Sequence, residues 1–331
     1  MLDNYLKQAV LTEACSQPVA DAIIALADAS KIITKWAART GLPDSDFGAL
    51  AGGHNADGDD QKALDVLADD AIAAKLKAAG VSVYLSEEQD APILLNPDSD
   101  GGIMVAADPL DGSSNIDTNL TVGTIFSLLP APETMSEAAC LMSGHAQLAA
   151  GFFLYGPQTG LMLTLGDGVR FFVLNEDGAF EMADWIADIP ATYPEFAINM
   201  SNQRFWSAPV GAYMEALSAG SNGPLKTHYN MKWCASLVAD AFRIFRRGGI
   251  FLYPEDSRKG YEAGRLRLIY EAHPIAFLIE QAGGRATDGA QPILDKIADG
   301  LHARSAFIFG SAEDVTYYEK TYQTGQFPNI K

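Results

Sequence analysis

The sequence predicts a mixed α/β (α+β) fold in which a mainly antiparallel sheet is followed by alternating helices and strands. Apolar residues recur at helical spacing in the first eighty residues, and short β-rich runs separated by short turns follow them. After Pro190, longer helical patterns alternate with strand patterns. We therefore expect a soft domain boundary near residue 190, which divides the chain into 1–190 and 191–331.

Two helical patterns open the chain. The first starts at Pro18, a residue that the first turn of a helix tolerates, and ends before Gly41 and Pro43. The second runs from about residue 60 to residue 77. Both are expected to be amphipathic, because their apolar residues fall on one helical face.

The strand patterns come next, and two of them pass directly into acidic residues. The run 81–85 leads into Glu87 and Glu88, and the run 103–107 leads into Asp108. Further strands are expected at 124–129, 150–155, 161–165 and 171–174, and later at 250–253 and 266–270. Later helices are expected near 208–217, 235–247 and 274–282.

Composition excludes several classes of function. Acidic residues outnumber basic ones 42 to 23 in 331 residues, and the net charge of −19 repels nucleic acids and anionic membranes. No apolar run is long enough to span a membrane, and the N-terminus does not resemble a signal peptide. The cysteines Cys15, Cys140 and Cys234 lie far apart among small or apolar neighbours, so we expect buried thiols and a cytoplasmic protein.

The most informative segment begins at Asp108. Asp108 and Asp111, with Pro109 stiffening the bend between them, can converge on one divalent cation, and the carbonyl of Leu110 can act as a third oxygen ligand. A polar β-turn is the simplest alternative explanation of such a segment.

The residues after the two aspartates favour an anion site. Gly112, Ser113 and Ser114 allow the backbone to curl so that successive N–H groups face one phosphate, with hydroxyls beside them. A metal site touching a phosphate site is therefore predicted.

Other carboxylates are expected to join this site. Glu87 and Glu88 follow a strand, and Asp59 and Asp65 lie near a helix start, so their mutual repulsion calls for two or three Mg²⁺ or Mn²⁺ ions. No cysteine pair or His-x-x-His spacing favours zinc, and no Gly-x-Ser-x-Gly motif favours a serine nucleophile. Four more acids are expected to lie on a solvated face and outside the site: Asp57, Asp60, Asp69 and Asp70.

At these residues the sequence resembles the class 1 fructose-1,6-bisphosphatase family. The resemblance implies a five-layered α-β-α-β-α sandwich of the sugar phosphatase type, dependence on Mg²⁺, and commonly a homotetramer. The segments that carry it are Gly58-Asp59, Lys62-Ala63-Leu64-Asp65, Ser86-Glu87-Glu88, Asp108 to Asp117, Val122 to Phe126, Leu154-Tyr155-Gly156, Ile198-Asn199, Val238-Ala239-Asp240, Gly248 to Pro254 and Leu266 to Glu271.

The resemblance also implies individual roles. Asp65 and Glu88 would polarise the attacking water. The metal ligands would be Asp59, Glu87, Asp108, Asp111, Glu271 and the carbonyl of Leu110. The substrate-binding residues would be Gly112, Ser113, Ser114 and Arg265 at the 1-phosphate, and Asn199, Tyr253 and Lys232 at the far phosphate.

The far-phosphate pattern departs from that of the family. Asn202 and Trp233 stand where tyrosines are expected, and Lys232 replaces an arginine that reaches in from a neighbouring subunit. An altered pocket is therefore expected, although an aromatic residue such as Trp233 near a helix start is more often a packing residue.

The resemblance implies Mg²⁺-dependent hydrolysis of fructose 1,6-bisphosphate to fructose 6-phosphate and phosphate, in gluconeogenesis or the Calvin cycle. Sedoheptulose-1,7-bisphosphatase activity, alone or in addition, remains an alternative, and so does a non-catalytic sugar-phosphate sensor. An inositol monophosphatase is disfavoured, because it would not need Asn199, Lys232 and Tyr253 around a second phosphate.

Many family members are inhibited by AMP, and this chain is expected to lack that control. Gly102, Ile103 and Pro130 occupy the positions of a Lys-Tyr pair and an arginine that hold the nucleotide. The segment before Pro18 is also short, so we expect the nucleotide-binding helix to be missing or truncated.

Overall fold

The first half of the chain forms helices and a large sheet. The computed structural model describes residues 1–42, 50–54, 60–97 and 102–328. The elements are α1 (Leu2–Leu11), α2 (Gln17–Ala37), β1 (Leu50–His54), β2 (Asp60–Lys62), α3 (Ala63–Ala78), β3 (Val83–Ser86), β4 (Ile93–Leu94), β5 (Ile103–Asp111), β6 (Val122–Pro130), α4 (Glu137–Cys140), β7 (Ala149–Tyr155), β8 (Thr159–Thr164), β9 (Val169–Leu174) and β10 (Phe180–Ile186).

The second half alternates helices and shorter strands, as the sequence predicts. Its elements are β11 (Glu195–Ala197), α5 (Ala208–Ser218), β12 (Asn230–Met231), α6 (Leu237–Arg247), β13 (Ile250–Tyr253), β14 (Leu266–Arg267), α7 (His273–Gln281), β15 (Arg285–Thr287), β16 (Arg304–Ser305), β17 (Phe307–Gly310) and α8 (Ala312–Thr324). Short 3-10 segments lie at Ser113–Thr118, Gly144–Ala146, Met200–Phe205, Gly220–Asn222 and Ile293–Asp295.

The larger sheet has eight strands in the order β10-β9-β8-β7-β6-β5-β3-β4. β3 and β5 run parallel, with Ser86 opposite Ala107, and the other neighbouring pairs are antiparallel. The expectation of a mainly antiparallel sheet is confirmed. The parallel pair matters for function, because it brings the carboxyl ends of β3 and β5 to the same edge.

The smaller sheet has five strands in the order β12-β11-β13-β17-β15. β11 is parallel to both β12 and β13, whereas β17 is antiparallel to β13 and β15. Gly249 joins α6 to β13 with φ +98°, and a Cβ there would lie 2.4 Å from the carbonyl oxygen of Glu195. Only glycine therefore permits so close an approach to β11.

The helices fall into three layers around the two sheets. α1, α2 and α3 cover one face of the larger sheet, where Ile23 and Leu26 pack in one core with Phe126 and Phe153. α5 and α8 cover the outer face of the smaller sheet, where Tyr213 and Tyr318 pack in a core with strand residues including Leu252.

The middle layer consists of α6 and α7. Its core contains Phe152 from the larger sheet, Ile244 and Ile275 from the two helices, and Phe309 from the smaller sheet. Both sheets therefore bury an apolar face against the same helices, and burial of this kind is the main stabilising contribution in folding. The order of layers is α-β-α-β-α, so the predicted five-layered sandwich is confirmed. The division at residue 190 remains a prediction.

Several element boundaries differ from the sequence prediction. The helix expected from residue 60 starts at Ala63, because Asp60–Lys62 pair with β1 as β2. The strand expected at 266–270 ends at Arg267, where a π-helical turn, Leu268–Ala272, begins. The segment before Pro18, where the nucleotide-binding helix is expected to be missing or truncated, contains the ten-residue α1.

The cysteines were only partly predicted. Cys140 is buried and Cys15 is half-buried, but Cys234 is exposed between β12 and α6, so the expectation of three buried thiols is wrong for that residue. The small and apolar residues next to Cys234 in the sequence did not indicate that the connection between β12 and α6 is exposed at this residue. Within the described ranges, none of the helices combines the length and apolar character needed to cross a membrane.

Candidate active site

A β-bulge brings the two aspartates of the predicted loop together. Asp108 and Asp111 lie three residues apart, a spacing that points them to opposite faces of a regular strand. Their partners on β6, Ile125 and Gly123, are only two residues apart, so β5 carries one extra residue at this point. The segment is thus the bulged end of β5, whereas the sequence predicts a loop beyond the strand. Pro109 fits there because a bulge tolerates a residue without an N–H.

Glu271 completes a three-carboxylate cluster. One carboxylate oxygen each of Asp108, Asp111 and Glu271 lies within 4.8 Å of the others, and all three residues are buried. Hard oxygen donors at this separation are what Mg²⁺, Mn²⁺ and Ca²⁺ prefer, whereas zinc usually takes nitrogen or sulfur ligands. The donor set therefore fits the predicted hard divalent cation.

Glu87 lies beside this cluster at the end of β3. Its N–H donates to the carbonyl oxygen of Ala107 over 3.1 Å, which continues the parallel pairing with β5. Arg267 then bridges two of the acids, since its Nε donates to Glu87 Oε1 over 3.2 Å and its backbone N–H donates to Glu271 Oε2 over 2.6 Å. Sequence reasoning did not assign Arg267 to the site. Its signal was its place in the segment Leu266 to Glu271, which carries part of the family resemblance.

Electrostatics of the cluster reflect burial and crowding. Burial, followed by repulsion from neighbouring carboxylates, raises the pKa of Glu87 and of Asp108 well above the usual range. Burial and the Asp111 charge raise the pKa of Glu271 to about 7, although the hydrogen bond from the Arg267 N–H acts in the opposite direction. Carboxyl groups in this state are poised to exchange protons for a divalent cation.

Asp111 also caps α6. Its carboxylate accepts hydrogen bonds from the N–H of Val238 over 2.9 Å, the N–H of Leu237 over 3.3 Å and the hydroxyl of Ser236 over 3.1 Å. These donors favour the ionised form and so oppose the rise in the pKa of Asp111 caused by burial. The cluster is thereby attached to the middle helical layer. Ser236 lies 125 residues from Asp111, and no sequence pattern linked the two.

The structure describes three of the four remaining predicted metal and water-activating residues. Leu110 is buried, and its N–H donates to Asp108 Oδ1 over 3.0 Å. Asp65 is buried in the first turn of α3, whereas Glu88 is half-buried beyond β3 with its N–H donating to Ser86 Oγ over 3.2 Å. Asp59 lies outside the described residues.

The predicted anion loop directly follows Asp111. Gly112 has φ +73°, and a Cβ there would lie 3.1 Å from Cβ of Ser236, so glycine suits both the conformation and the space. Ser113 and Ser114 begin the 3-10 segment, and Ser114 is exposed. The loop thus adjoins both the carboxylates and the start of α6.

The far-phosphate candidates lie at the ends of the parallel strands β11 and β13. Asn199 and Tyr253 line one recess together with Asn202 and Asp256. The side-chain oxygen of Asn199 accepts hydrogen bonds from the N–H and the hydroxyl of Ser201 over 3.1 and 2.6 Å. The substitution expected to alter the pocket, Asn202, is therefore at its wall.

The two cations predicted to bind phosphate, Arg265 and Lys232, are exposed. Arg265 Nη1 donates to the Tyr261 hydroxyl over 2.9 Å, and the Arg265 charge partly offsets the effect of burial, which raises the pKa of Tyr253. Arg265, predicted opposite the 1-phosphate, thus also adjoins a far-phosphate residue. Lys232 is exposed after β12, with its N–H donating to the Phe196 carbonyl over 2.7 Å.

Trp233 packs in the core, because it stacks on Phe251 at 5.7 Å between ring centroids. Its ring also lies 6.1 Å from that of Tyr253, a residue of the recess.

We predict that the metal-free protein loses stability as the pH rises from 6 to 8. With a pKa of about 7, folded Glu271 holds a proton at pH 6 that the unfolded chain, with a pKa near 4.5, has already lost. Raising the pH removes that proton, so Glu271 alone lowers the free energy of unfolding by about 1 kcal/mol. Denaturant titrations in EDTA should show this decline, and saturating Mg²⁺ should reduce it.

The matched variant is Glu271→Gln, whose amide oxygen still accepts from the Arg267 N–H. It should show a shallower decline than the wild type over the same pH range. Identical slopes for the two proteins would contradict the raised pKa of Glu271.

Comparisons with known proteins agree on one family. The model described as "Fructose-1-6-bisphosphatase, N-terminal domain" matches residues 5–184, and "Fructose-1-6-bisphosphatase, C-terminal domain" matches residues 189–323. A class 1 fructose-1,6-bisphosphatase of Paracoccus denitrificans is 54% identical over 264 residues, which cover 80% of this chain and 79% of that protein. One from Rhizobium meliloti is 50% identical over 304 residues, covering 91% and 86%.

A solved structure supports the same assignment. The crystal structure of Leishmania major fructose-1,6-bisphosphatase in holo form superimposes with a TM-score of 0.88 at 31% sequence identity, covering 96% of this chain and 97% of that one. Sequence models, curated relatives and fold therefore converge, and the chain belongs to the class 1 fructose-1,6-bisphosphatase family, whose members hydrolyse a phosphate monoester.

Proposed function

We propose that this chain hydrolyses the 1-phosphate of fructose 1,6-bisphosphate, giving fructose 6-phosphate and inorganic phosphate, with Mg²⁺ as cofactor. The observation that carries the proposal is the buried cluster of Asp108, Asp111 and Glu271 in a chain of this family. The water oxygen attacks phosphorus, and the bond from phosphorus to the sugar oxygen breaks. The water proton passes to a carboxylate, and the departing sugar oxygen takes up a proton from solvent to become a hydroxyl.

Two or three Mg²⁺ ions, with Mn²⁺ as a substitute, are proposed for the cluster. Asp108, Asp111 and Glu271 supply convergent oxygens, and Glu87 and Leu110 lie alongside. The Leu110 carbonyl and Asp59 are further proposed ligands. When bound, the ions supply Lewis-acid stabilisation of charge on the phosphoryl group and lower the pKa of water.

The chain's own carboxylates are proposed to receive the proton. Asp65 is held by α3, which packs on the larger sheet, and Glu88 lies just beyond β3, a strand of that sheet. A positioned carboxylate that accepts a proton in the transition state is general base catalysis. A sensor that only binds sugar phosphates has no need of such a pair.

Substrate binding is proposed to use both halves of the chain. The Gly112 and Ser113 backbone with Ser114 holds the 1-phosphate, and the exposed Arg265 adds a cation between the two subsites. The far phosphate is assigned to Asn199, Tyr253 and Lys232.

Sedoheptulose-1,7-bisphosphatase activity, alone or as a second activity, is retained as the alternative. Asn202 at the wall of the recess is shorter than the tyrosine expected there, which favours room for a sugar one carbon longer. The exposure of Lys232 agrees with a role in a neighbouring subunit of a homotetramer. The cytoplasm, with gluconeogenesis or the Calvin cycle as its pathway, is the proposed setting.

AMP control is proposed to be absent. Ile103 is buried and pairs with Pro130 across β5 and β6, so these two positions offer no cationic side chain for a phosphate. Gly102 directly precedes Ile103 and has no side chain. The presence of α1 leaves the proposal resting on these three positions.

We predict phosphate release from fructose 1,6-bisphosphate that stops in EDTA and returns with Mg²⁺. Steady-state kcat/KM should be higher for fructose 1,6-bisphosphate than for sedoheptulose 1,7-bisphosphate and far higher than for inositol monophosphate. The reverse order for the two bisphosphates would favour the alternative. Tight substrate binding without turnover at any Mg²⁺ concentration would favour the sensor.

Loss of either bulge aspartate should abolish turnover, but the two variants should differ in stability. Asp108→Ala removes a proposed metal ligand, whereas Asp111→Asn also weakens the cap of α6 by placing an amide donor opposite backbone N–H groups. Because one buried backbone N–H then lacks an acceptor, Asp111→Asn should cost about 1 kcal/mol of stability in EDTA, measured by urea unfolding. Near-wild-type kcat in both variants would overturn the site.

Glu88→Gln should lower kcat by roughly two to four orders of magnitude with little change in KM, because general acid–base assistance is typically of that size. The matched control is Asp90→Asn, two residues further along and exposed, which should retain wild-type kcat. A rise in KM or in the Mg²⁺ requirement at unchanged kcat would assign Glu88 to binding instead.

A further inference from the structure

A buried aspartate outside the proposed ligand set connects two parts of the site. The sequence predicts a solvated Asp69, but the structure buries it at 3% exposure, whereas Asp70 next to it is exposed. Asp69 lies on α3 one turn after Asp65, and residues four apart share a helical face. Both aspartates therefore face the interior from the same side of α3.

The carboxylate of Asp69 accepts two side-chain hydrogen bonds. The Tyr84 hydroxyl donates to Oδ1 over 2.8 Å, and the Gln89 amide nitrogen donates to Oδ2 over 2.7 Å. Each carboxylate oxygen is used once, and both distances are in the range of strong hydrogen bonds to charged acceptors. The Asp69 carboxylate therefore links two specific donors, one on each of its oxygens.

The two donors flank the acidic pair of the site. Tyr84 is on β3, three residues before Glu87, and Gln89 directly follows Glu88. Asp69 thus holds both ends of the short segment that carries Glu87 and Glu88 against the helix that carries Asp65. The opposite side of this segment is held separately, because the Gln89 carbonyl contacts the His302 imidazole over 3.1 Å.

We infer that Asp69 is a positioning residue that fixes the placement of Glu88 relative to Asp65, the pair proposed to activate water. The inference rests on the proposed function. Misplacement of a reacting group by about 1 Å can cost on the order of 100-fold in rate, so a rigid tie between α3 and the segment after β3 has catalytic consequences. A purely structural role would stabilise the fold without acting on kcat.

The decisive variants change one hydrogen bond at a time. In Asp69→Asn the side-chain oxygen still accepts from Tyr84, but the new amide faces the Gln89 amide, donor against donor. We expect kcat for fructose 1,6-bisphosphate to fall about 10- to 100-fold with KM within about twofold, on the scale of a lost positioning contact. Gln89→Ala removes the hydrogen bond from the Gln89 amide to Asp69 and should also lower kcat.

Rescue tests the bond itself. In the double variant Asp69→Asn with Gln89→Glu, donor and acceptor are exchanged and both hydrogen bonds can form again, so kcat should recover to within a few-fold of wild type. Asp70→Asn on the exposed face of α3 is the matched control and should leave kcat unchanged. All measurements are made on protein shown by circular dichroism to be folded at the assay temperature.

Wild-type kcat in folded Asp69→Asn, or a loss that the double variant does not restore, would overturn the inference. If Gln89→Ala loses thermal stability together with kcat and its KM is also raised, Asp69 has a structural role, and this outcome would overturn the inference too. If the wild-type protein itself releases no phosphate, the proposed function fails, and that outcome is recognised before any variant is compared.

Discussion

Mutual repulsion among buried carboxylates is the constraint on which this structure depends. Glu87, Asp108, Asp111 and Glu271 are brought together where water cannot screen them well. Burial raises the pKa of each, and repulsion from neighbouring carboxylates adds to the rise at Glu87, Asp108 and Glu271. A fold that only maximised its stability would not gather these groups. The arrangement is explained by a divalent cation, whose binding converts the repulsion into coordination.

Two local irregularities of the fold bring these carboxylates together. The bulge in β5 turns two aspartates to one side, and the π-helical turn before α7 presents Glu271 toward them, as π-helical turns often do at functional sites. The α6 N-terminus and Arg267 then supply the donors that make the acids tolerable before a metal binds. Since α6 and α7 also form the layer between the sheets, the site and the main core share their supports.

The features that the sequence predicts are those that depend on residues close together in the chain. The Asp-Pro-Leu-Asp-Gly segment predicted two convergent aspartates because their chemistry is contained in five residues, and helical spacing predicted α2 within a few residues of its bounds. The bulge was not predictable, because it is a property of how β5 pairs with β6. Arg267, Ser236 and the burial of Asp69 depend on contacts between distant segments, so composition and periodicity could not report them.

Formal charge links substrate binding to metal loading. Glu87, Glu88, Asp108, Asp111 and Glu271 act on one another electrostatically, and with all five ionised and Arg267 bound among them the local sum is −5 + 1 = −4. This charge repels a phosphate, and each divalent cation of the proposed metal site cancels two of the negative charges. Attraction of an anionic substrate therefore increases as the site is loaded. The protein's overall charge of −19 strengthens the argument, because no broad positive field draws the sugar bisphosphate in. Attraction must come from the loaded site and from the few exposed cations beside it, such as Arg265.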